Sequence, residues 1–243
     1  MSEQTNKLFD KYLSTSFFET NQLEASLDNI KHIASTYDWN YKKIIPADKN
    51  SKILDIGCGL GQFLYWLKNN GYNNYLGVDL SQEMLDFCKA NVTGQVLKIS
   101  SMTEFLADKK DQYDLIVLND VIEHLPKTEI INDLALIKSA LKQGGMLIVK
   151  TNNLAAITGP RLRYEDFTHE VGLTEHSLMQ VLLLAGYKQV EIRAFAMPRT
   201  SILRWIRFIV QTILHQLWRS MFFWEFTLVP KIVDELIFAV AKK

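Results

Sequence analysis

The sequence has few cysteines, few prolines and no excess of either charge. Its 243 residues include two cysteines and five prolines, and its 27 basic residues balance 27 acidic ones. Cys58 and Cys88 form neither a zinc-ligand pattern nor a disulfide framework, so they suit a reducing compartment. A protein whose main partner is a nucleic-acid backbone usually carries an excess of Lys and Arg, so the balanced charge argues against that class.

Long uncharged apolar runs are also missing. No apolar stretch reaches the roughly 18 residues expected of a membrane-spanning helix. The polar start, "MSEQTNKLFDKYLSTS", has no apolar core of a secretion signal. We therefore expect a cytoplasmic protein. Peripheral contact with the inner face of the membrane is a further possibility, because of a C-terminal segment described below.

From Ser51 onward, short apolar runs alternate with amphipathic ones. This alternation over more than 100 residues predicts a doubly wound α/β sheet, in which ligands bind at the carboxyl ends of the strands. Ser81 and Thr174 are predicted helix caps, and Gly186 a predicted helix stop. The predicted strands are "KILDI", "YLGVDL", "QVLKI", "YDLIVL", "MLIVKT", "QVEIRAF" and "ELIFAVAKK".

A glycine-rich loop follows the first predicted strand. In "LDIGCGLGQF", Gly57, Gly59 and Gly61 precede a predicted helix, and glycines let a backbone approach a ligand closely. Asp79 ends the next strand, where a carboxylate can accept both hydroxyls of a ribose. Two alternatives are a tight turn used only for packing, and a nicotinamide or flavin domain. The latter prefers a third glycine at the position of Gln62.

The motifs "ILDIGCGLGQFL", "GVDLS", "YDLIVLNDVIEHL" and "LKQGGMLIVKTNN" resemble those of class I S-adenosylmethionine (SAM)-dependent methyltransferases. The resemblance implies a Rossmann-like seven-stranded sheet with an antiparallel last strand, and SAM as methyl donor. It places a ribose contact at Asp79 and adenine packing at Leu80. Members often carry an acid after the third strand, where this chain has Ser101 and Met102. The implied cofactor-binding residues are Asp55, Gly57, Gly59, Gly61, Asp79, Leu80, Ser101, Met102 and Asn119.

Ionisable residues cluster after the fourth predicted strand, in "LNDVIEHLP". A helical turn there would put Asp120, Glu123 and His124 on one face. The loops after the fourth and fifth strands lie side by side in this fold, so His169 could join them. Two carboxylates and two imidazoles suit Mg²⁺, Mn²⁺, Fe²⁺ or Zn²⁺. The predicted metal ligands are Asp120, Glu123, His124 and His169.

The same cluster is similar to the metal site of small-RNA 2′-O-methyltransferases and to the Glu-x-x-Glu-His run of ubiquinone-pathway O-methyltransferases. That similarity implies catalytic roles for Glu123, His124 and His169, although this chain has Asp120 in place of the first acid. Two alternatives remain. One is metal-free acid–base use of a histidine, and the other is a structural role.

The run "RYEDFTHEVGLTEHSL" resembles bacterial methyltransferases that modify surface polysaccharides such as O-antigen or capsule. It implies a sugar hydroxyl as acceptor. Arg161 and Arg163 are candidate contacts to a phosphate or carboxylate of the acceptor, and Tyr164 is a candidate to stack on a sugar ring. The alternatives are a solvated loop for the two arginines and a core position for the tyrosine. The expected function is SAM-dependent O-methylation of a surface glycan or its precursor. The alternatives are an RNA 2′-hydroxyl, a small quinone-type acceptor, and a non-catalytic SAM-binding scaffold subunit.

The predicted domain organisation has three parts. Residues 1–50 form an N-terminal helical cap, residues 51–197 and 231–243 form the methyltransferase domain, and residues 198–230 form an amphipathic helical insertion. Basic residues recur in this insertion at three- and four-residue steps among many apolar ones. Such a helix can contact a membrane surface through residues 202–224, dimerise, or cover the acceptor pocket.

Overall fold

Seven strands form one sheet in the computed structural model, which describes residues 25–243. The strands are β1 (Ile53–Ile56), β2 (Tyr75–Asp79), β3 (Val96–Lys98), β4 (Tyr113–Asn119), β5 (Leu141–Asn152), β6 (Gln189–Ala194) and β7 (Leu236–Lys242). The α-helices are α1 (Leu27–Asn40), α2 (Gln62–Asn69), α3 (Gln82–Asn91), α4 (Met102–Leu106), α5 (Ile130–Ala140), α6 (Gly159–Glu165), α7 (Glu175–Leu184) and α8 (Ile202–Phe226). A 3₁₀-helix covers Ile122–His124.

The strand order is β3-β2-β1-β4-β5-β7-β6. Strand β1 pairs in parallel with β2 on one side and β4 on the other, so the chain reverses its direction of winding there. Strand β7 is antiparallel to both β5 and β6. The expected seven-stranded, doubly wound sheet with an antiparallel last strand is confirmed. Its reversal point is where such sheets bind ligands.

Apolar residues on both faces of the sheet hold the helices in place. One buried cluster joins the sheet to α5 and α7 through residues such as Leu134, Ile137 and Leu182. The other joins it to α1, α2 and α3, with Tyr37 and Phe63 in T-shaped contact at 5.3 Å. Strands covered on both faces are buried throughout, which explains the continuous apolar runs in the sequence.

The predicted helix ends are confirmed. The side chain of Ser81 accepts a hydrogen bond from the Met84 backbone N–H at 3.5 Å, and Thr174 takes part in a capping box with Ser177. Gly186, just after the end of α7, has a φ of 89°, a conformation that favours glycine. Local capping chemistry therefore determines where α3 begins and where α7 begins and ends.

The N-terminal cap and the C-terminal insertion remain predictions as domains. Helix α1 lies within the predicted cap, and residues 1–24 of that cap lie outside the described residues. The predicted insertion contains α8, a single helix of 25 residues. Among the described residues, no helix combines the length and apolar character needed to cross a bilayer.

Gly61 and Gly71 provide a matched test of packing in the first strand–helix loop. Both have positive φ, 88° and 80°. A Cβ at Gly61 would collide with the buried Sγ of Cys88, whereas one at Gly71 would meet nothing within 4 Å. We expect Gly71→Ala to cost about 1–2 kcal/mol of unfolding free energy. Gly61→Ala should cost about 1–3 kcal/mol more, because the site is overpacked.

Urea unfolding of the two variants and wild type measures this difference. Equal losses of stability would show that the contact between Gly61 and Cys88 does not constrain the loop.

Candidate active site

A cavity of about 540 Å³ opens at the carboxyl ends of β1, β2 and β4. Its volume is within the range of small-molecule sites. Among residues 25–243, four buried side-chain polar atoms lack a hydrogen-bond partner, and three of them belong to residues that line this cavity. These three atoms are Asp55 Oδ1, Asn119 Nδ2 and Glu123 Oε1. Buried polar atoms are normally paired, so the cavity is prepared for a polar ligand.

The glycine loop lies against the 3₁₀-helix region. Gly57 has a φ of 71°, and a Cβ there would collide with Cγ2 of Val121. The Gly59 backbone N–H donates to Asp79 Oδ2 at 2.8 Å. The loop therefore approaches both the second strand and the chain after β4, and Gly57 and Gly59 line the cavity. Gly61, by contrast, is the N-cap residue of α2 and lies against Cys88 of α3.

Asp55 and Asp79 put two carboxyl groups at one end of the cavity. Asp79 also accepts a hydrogen bond from the Ser81 N–H at 2.8 Å. Burial raises the pKa of Asp79, although its backbone donors oppose that effect. Burial, with repulsion from Asp79, raises the pKa of Asp55 well above its ordinary value. Such carboxyl groups are prepared to accept hydrogen bonds from ligand hydroxyl or amine groups.

Leu80 and Met102 line the cavity, and their contact with adenine stays a prediction. Ser101 has a different position. Its Oγ accepts a hydrogen bond from the Glu104 N–H at 3.1 Å and caps α4. In the described chain, Ser101 is not among the cavity-lining residues.

Asn119 ends β4 beside the cavity, and the orientation of its side chain is set by Tyr41, the residue that directly follows α1. The buried Tyr41 hydroxyl donates to Asn119 Oδ1 at 2.8 Å. The amide therefore turns its Nδ2 away from Tyr41, and this nitrogen is one of the unpaired donors. A donor there can bind a carboxylate or hydroxyl oxygen of a ligand.

Glu123, His124 and His169 come together at the other side of the cavity, and we call them the Glu–His–His cluster. One ligand atom from each lies within 4.8 Å of the others. The two imidazole centroids are 4.8 Å apart. The backbone N–H groups of Glu170 and Val171 donate to the Glu123 carbonyl at 2.8 and 3.2 Å, and these bonds hold the two loops together.

Both imidazoles are oriented by hydrogen bonds at Nδ1. The Leu162 carbonyl lies 2.9 Å from His169 Nδ1. A carbonyl only accepts, so that nitrogen carries the proton. Thr168 Oγ1 donates to Asp166 at 2.7 Å and lies 2.9 Å from His124 Nδ1, so it accepts from the imidazole. A neutral imidazole that donates through Nδ1 has its lone pair at Nε2, the form required of a base or a metal ligand.

Burial shifts the pKa values of two members of the cluster, His124 and Glu123. It lowers the pKa of His124 to about 4, with repulsion from His169 as a further cause, so this imidazole is neutral near pH 7. Burial, together with repulsion from Asp120, raises the pKa of Glu123 to about 8. Glu123 Oε2 accepts a hydrogen bond from Thr151 at 3.0 Å. The cluster thus combines a neutral imidazole with a carboxyl group that can hold or release a proton near neutral pH.

Asp120 does not share a helical face with Glu123 and His124. Its φ is 56°, in the left-handed region, so the helical turn begins only after it. Its carboxylate forms an ion pair with Lys150 Nζ at 2.5 Å. The structure therefore places Asp120 at the cavity wall, outside the three-residue cluster.

The three candidate substrate contacts lie away from the cavity. Arg161 pairs with Glu165 at 2.6 Å, and Arg163 donates to the Glu170 carbonyl at 2.9 Å. The Tyr164 side chain is 80% exposed. All three are on α6, which supplies its own Leu162 and Glu165 to the cavity. Arg161 reaches the cavity wall only through its bond to Glu165, Arg163 is half-buried, and a contact of any of the three with an acceptor stays a prediction.

Several residues at the site were missed by sequence reasoning. Lys150 had a visible signal, since it is a charged residue within the apolar strand "MLIVKT". Asp166 and Thr168 had none, because their link to His124 joins positions 44 residues apart. Tyr41 lies in an aromatic-rich stretch, but its bond to Asn119 depends on how α1 packs.

The comparisons with known proteins agree with this geometry. A family model described as a methyltransferase domain matches residues 30–192, more than half of the chain. The chain belongs to this methyltransferase family. Its motifs and fold are those of SAM-dependent methyltransferases.

Two curated relatives share part of this methyltransferase's sequence. It is 33% identical over 108 residues to the ubiquinone biosynthesis O-methyltransferase of Bartonella quintana. The aligned region covers 43% of this chain and 42% of that protein. It is 25% identical over 178 residues to the tRNA U34 carboxymethyltransferase of Azotobacter vinelandii. That aligned region covers 68% of this chain and 54% of that protein. Each match thus spans about half of the relative's length.

Solved structures share the methyltransferase fold. A SAM-dependent methyltransferase from Archaeoglobus fulgidus aligns with a TM-score of 0.68 and 21% identity, covering 96% of this chain and all of that one. Phosphoethanolamine N-methyltransferase 2 of Haemonchus contortus, in complex with SAM, aligns with a TM-score of 0.62 and 17% identity. That alignment covers 94% of this chain and 59% of the other.

Asp79→Ala should weaken SAM binding by about tenfold or more, since hydrogen bonds to a charged group contribute about 1.5–3 kcal/mol. Titration calorimetry with SAM measures the change in Kd. Asp86→Ala is the control, because Asp86 is an exposed carboxylate of α3 that pairs with Gln82. Similar Kd values for the two variants would remove Asp79 from the SAM site.

Proposed function

We propose that this chain is a SAM-dependent O-methyltransferase whose acceptor hydroxyl is bound at the Glu–His–His cluster, with a divalent ion held by those three residues. The observation that carries the proposal is the convergence of three ligand atoms within 4.8 Å at the wall of the cavity. Two imidazoles and one carboxylate are a donor set of non-haem iron and zinc sites.

The residues fit an ion for two reasons. Glu123 Oε1 is buried and unpaired in the described chain, as an oxygen reserved for a ligand would be. The hydrogen bond between His169 Nδ1 and the Leu162 carbonyl also makes Nε2 the atom of that imidazole suited to coordination. With Asp120 paired to Lys150, nitrogen donors outnumber oxygen donors in the cluster. This favours Fe²⁺, Mn²⁺ or Zn²⁺ over Mg²⁺, which prefers oxygen.

The chain's own residues account for the rest of the reaction. The glycine loop, Asp55 and Asp79 hold SAM, while the cluster holds the acceptor. The acceptor hydroxyl loses its proton, its oxygen attacks the methyl carbon, the carbon–sulfur bond breaks, and S-adenosylhomocysteine leaves. A divalent ion, when bound, supplies a lowered pKa for the hydroxyl and a fixed orientation for in-line attack. Without an ion, Glu123 or a histidine Nε2 can take the proton.

The acceptor class we favour has two neighbouring hydroxyls on an aromatic ring. The relative from Bartonella quintana is named for ubiquinone biosynthesis, and this supports a quinone-type acceptor. Neither curated relative's name refers to a polysaccharide. A glycan acceptor thus rests only on the resemblance of the 163–178 run. An RNA acceptor is supported by the tRNA-modifying relative but not by the balanced charge.

Metal content is the first test. We expect near-stoichiometric Fe, Mn or Zn in wild type after dialysis against each ion, and its loss in His169→Ala. His176→Ala is the control, because that imidazole is 81% exposed on α7. Elemental mass spectrometry measures the content. Equal metal in His169→Ala and wild type, or none in either, would rule out the proposed metal site.

Transfer of a methyl group from SAM to a panel of acceptors tests the rest. Catechol-type phenols, nucleotide sugars and RNA would be compared by mass spectrometry of the products. A methylated phenol is the expected product, whereas a methylated sugar or RNA would replace the acceptor class proposed here.

Thr168 should act as a positioning residue, because its hydroxyl links His124 to Asp166. We expect Thr168→Val to lower metal affinity or kcat/KM by about 10- to 100-fold, the usual effect of losing a partner of a ligand histidine. Thr168→Ser keeps the hydroxyl and should restore most of the loss. If serine and valine were equally impaired with unchanged melting temperatures, the hydroxyl would have no such role.

A further inference from the structure

Helix α8 exposes a broad apolar surface. At 100° per residue, nine of its exposed apolar side chains share one side of the helix. Each is between 47% and 81% exposed. We call this surface the α8 apolar face. Its members are Ile202, Ile206, Ile209, Val210, Ile213, Leu214, Leu217, Met221 and Trp224.

The opposite side of α8 attaches the helix to the fold. Phe208, Trp218 and Phe222 are half-buried there. The Trp218 indole N–H donates to the Ala155 carbonyl at 2.8 Å. Arg204 donates to the Pro198 carbonyl at 3.2 Å and lies 3.3 Å from His32 Nε2 of α1. These contacts fix the rotation of the helix. Most of the apolar face therefore points to solvent, while Ile206, Val210 and Leu214 border a cleft between α8 and the rest of the fold.

The charge of this segment is unlike that of the rest of the chain. Because basic and acidic residues are equal in number over the whole chain, the residues outside 198–231 include more acidic than basic side chains. Within residues 198–231, Glu225 is the one acid. The basic residues of this segment are Arg199, Arg204, Arg207, Arg219 and Lys231.

By the same helical geometry, Arg207 lies at one margin of the apolar face, next to Leu214, and the half-buried Arg219 lies on the other flank, about 80° beyond Ile209. A wide apolar side bordered by arginines matches a helix that lies in the plane of a membrane interface, where the arginines meet anionic headgroups.

We propose that α8 docks on an anionic lipid surface, with its apolar face in the acyl boundary and its axis parallel to the bilayer. Charge favours lipid over a second copy of the chain. Two α8 helices packed face to face would bring together two positively charged segments, whereas an anionic bilayer attracts them. The helix does not qualify as a spanning segment, which agrees with a position on the surface.

Sedimentation of the full chain with vesicles tests the apolar contact. Leu217→Glu should reduce binding to vesicles of phosphatidylcholine and phosphatidylglycerol by about tenfold or more, since burying a leucine contributes about 1.5–3 kcal/mol. Leu184→Glu on α7 is the matched control, because Leu184 is 61% exposed and Leu217 is 60% exposed. Equal binding by the two variants would overturn the proposal.

The charge contribution has its own test. Arg207→Gln and Arg219→Gln should each weaken binding by about fivefold, the effect of about 1 kcal/mol per basic residue at an anionic surface. Wild type should bind poorly to phosphatidylcholine alone. Equal binding to both kinds of vesicle would overturn the requirement for anionic lipid.

Light scattering after size-exclusion chromatography separates lipid docking from self-association. We expect a protein that binds vesicles and whose oligomeric state is the same in wild type and Leu217→Glu. A wild-type dimer that Leu217→Glu dissociates, with no vesicle binding, would assign the face to a second copy instead.

Discussion

Lys150 supplies the positive charge that the acidic wall of the cavity depends on. It is the one buried basic side chain among residues 25–243, and it forms an ion pair with Asp120. Its charge also opposes the rise in pKa that burial causes at Asp55 and Glu123. Carboxyl groups buried at the ends of neighbouring strands repel one another, so removing the shared cation would leave uncompensated charge inside the protein. Lys150 is on β5, next to β4, and lines the same cavity as Asp55, Asp120 and Glu123.

The sheet topology determines which groups that charge can reach. Strands β1, β4 and β5 are parallel neighbours, so their carboxyl ends bring Asp55, Asn119 and Lys150 to one edge. The chain after β4 then turns through the left-handed residue Asp120. This turn sends the Asp120 carboxylate to Lys150 and lets the following 3₁₀-helix present Glu123 and His124 to the loop that carries His169. The separation of the Asp55–Asp79 end of the cavity from the Glu–His–His cluster thus follows from this turn of the backbone.

Much of the fold could be predicted because its signals are local. The glycine loop, the acid at Asp79, the caps at Ser81 and Thr174 and the buried strands each depend on residues close in sequence. The pairing of His124 with His169 was also predicted, from the adjacency of loops in this kind of sheet. The inclusion of Asp120 with them assumed a regular helical turn, whereas its positive φ and the nearby Lys150 set a different direction. Arg161, Arg163 and Tyr164 were chosen as substrate contacts for their chemistry, whereas their contacts with Glu165 and with the Glu170 carbonyl depend on how α6 packs.

The sequence alone therefore determined the strand–helix order, the SAM-type loop and the residue types available for chemistry, because short-range patterning and backbone preference suffice for these. Only the tertiary structure decided which polar groups meet. The Asp166–Thr168–His124 chain, the Tyr41–Asn119 bond and the Asp120–Lys150 pair join residues from different elements, and no periodicity encodes such contacts. The tertiary structure also decided that α8 attaches by its mixed side and leaves its apolar side exposed. Amphipathic spacing shows that a helix has two sides, but only packing against the rest of the fold determines which side is covered.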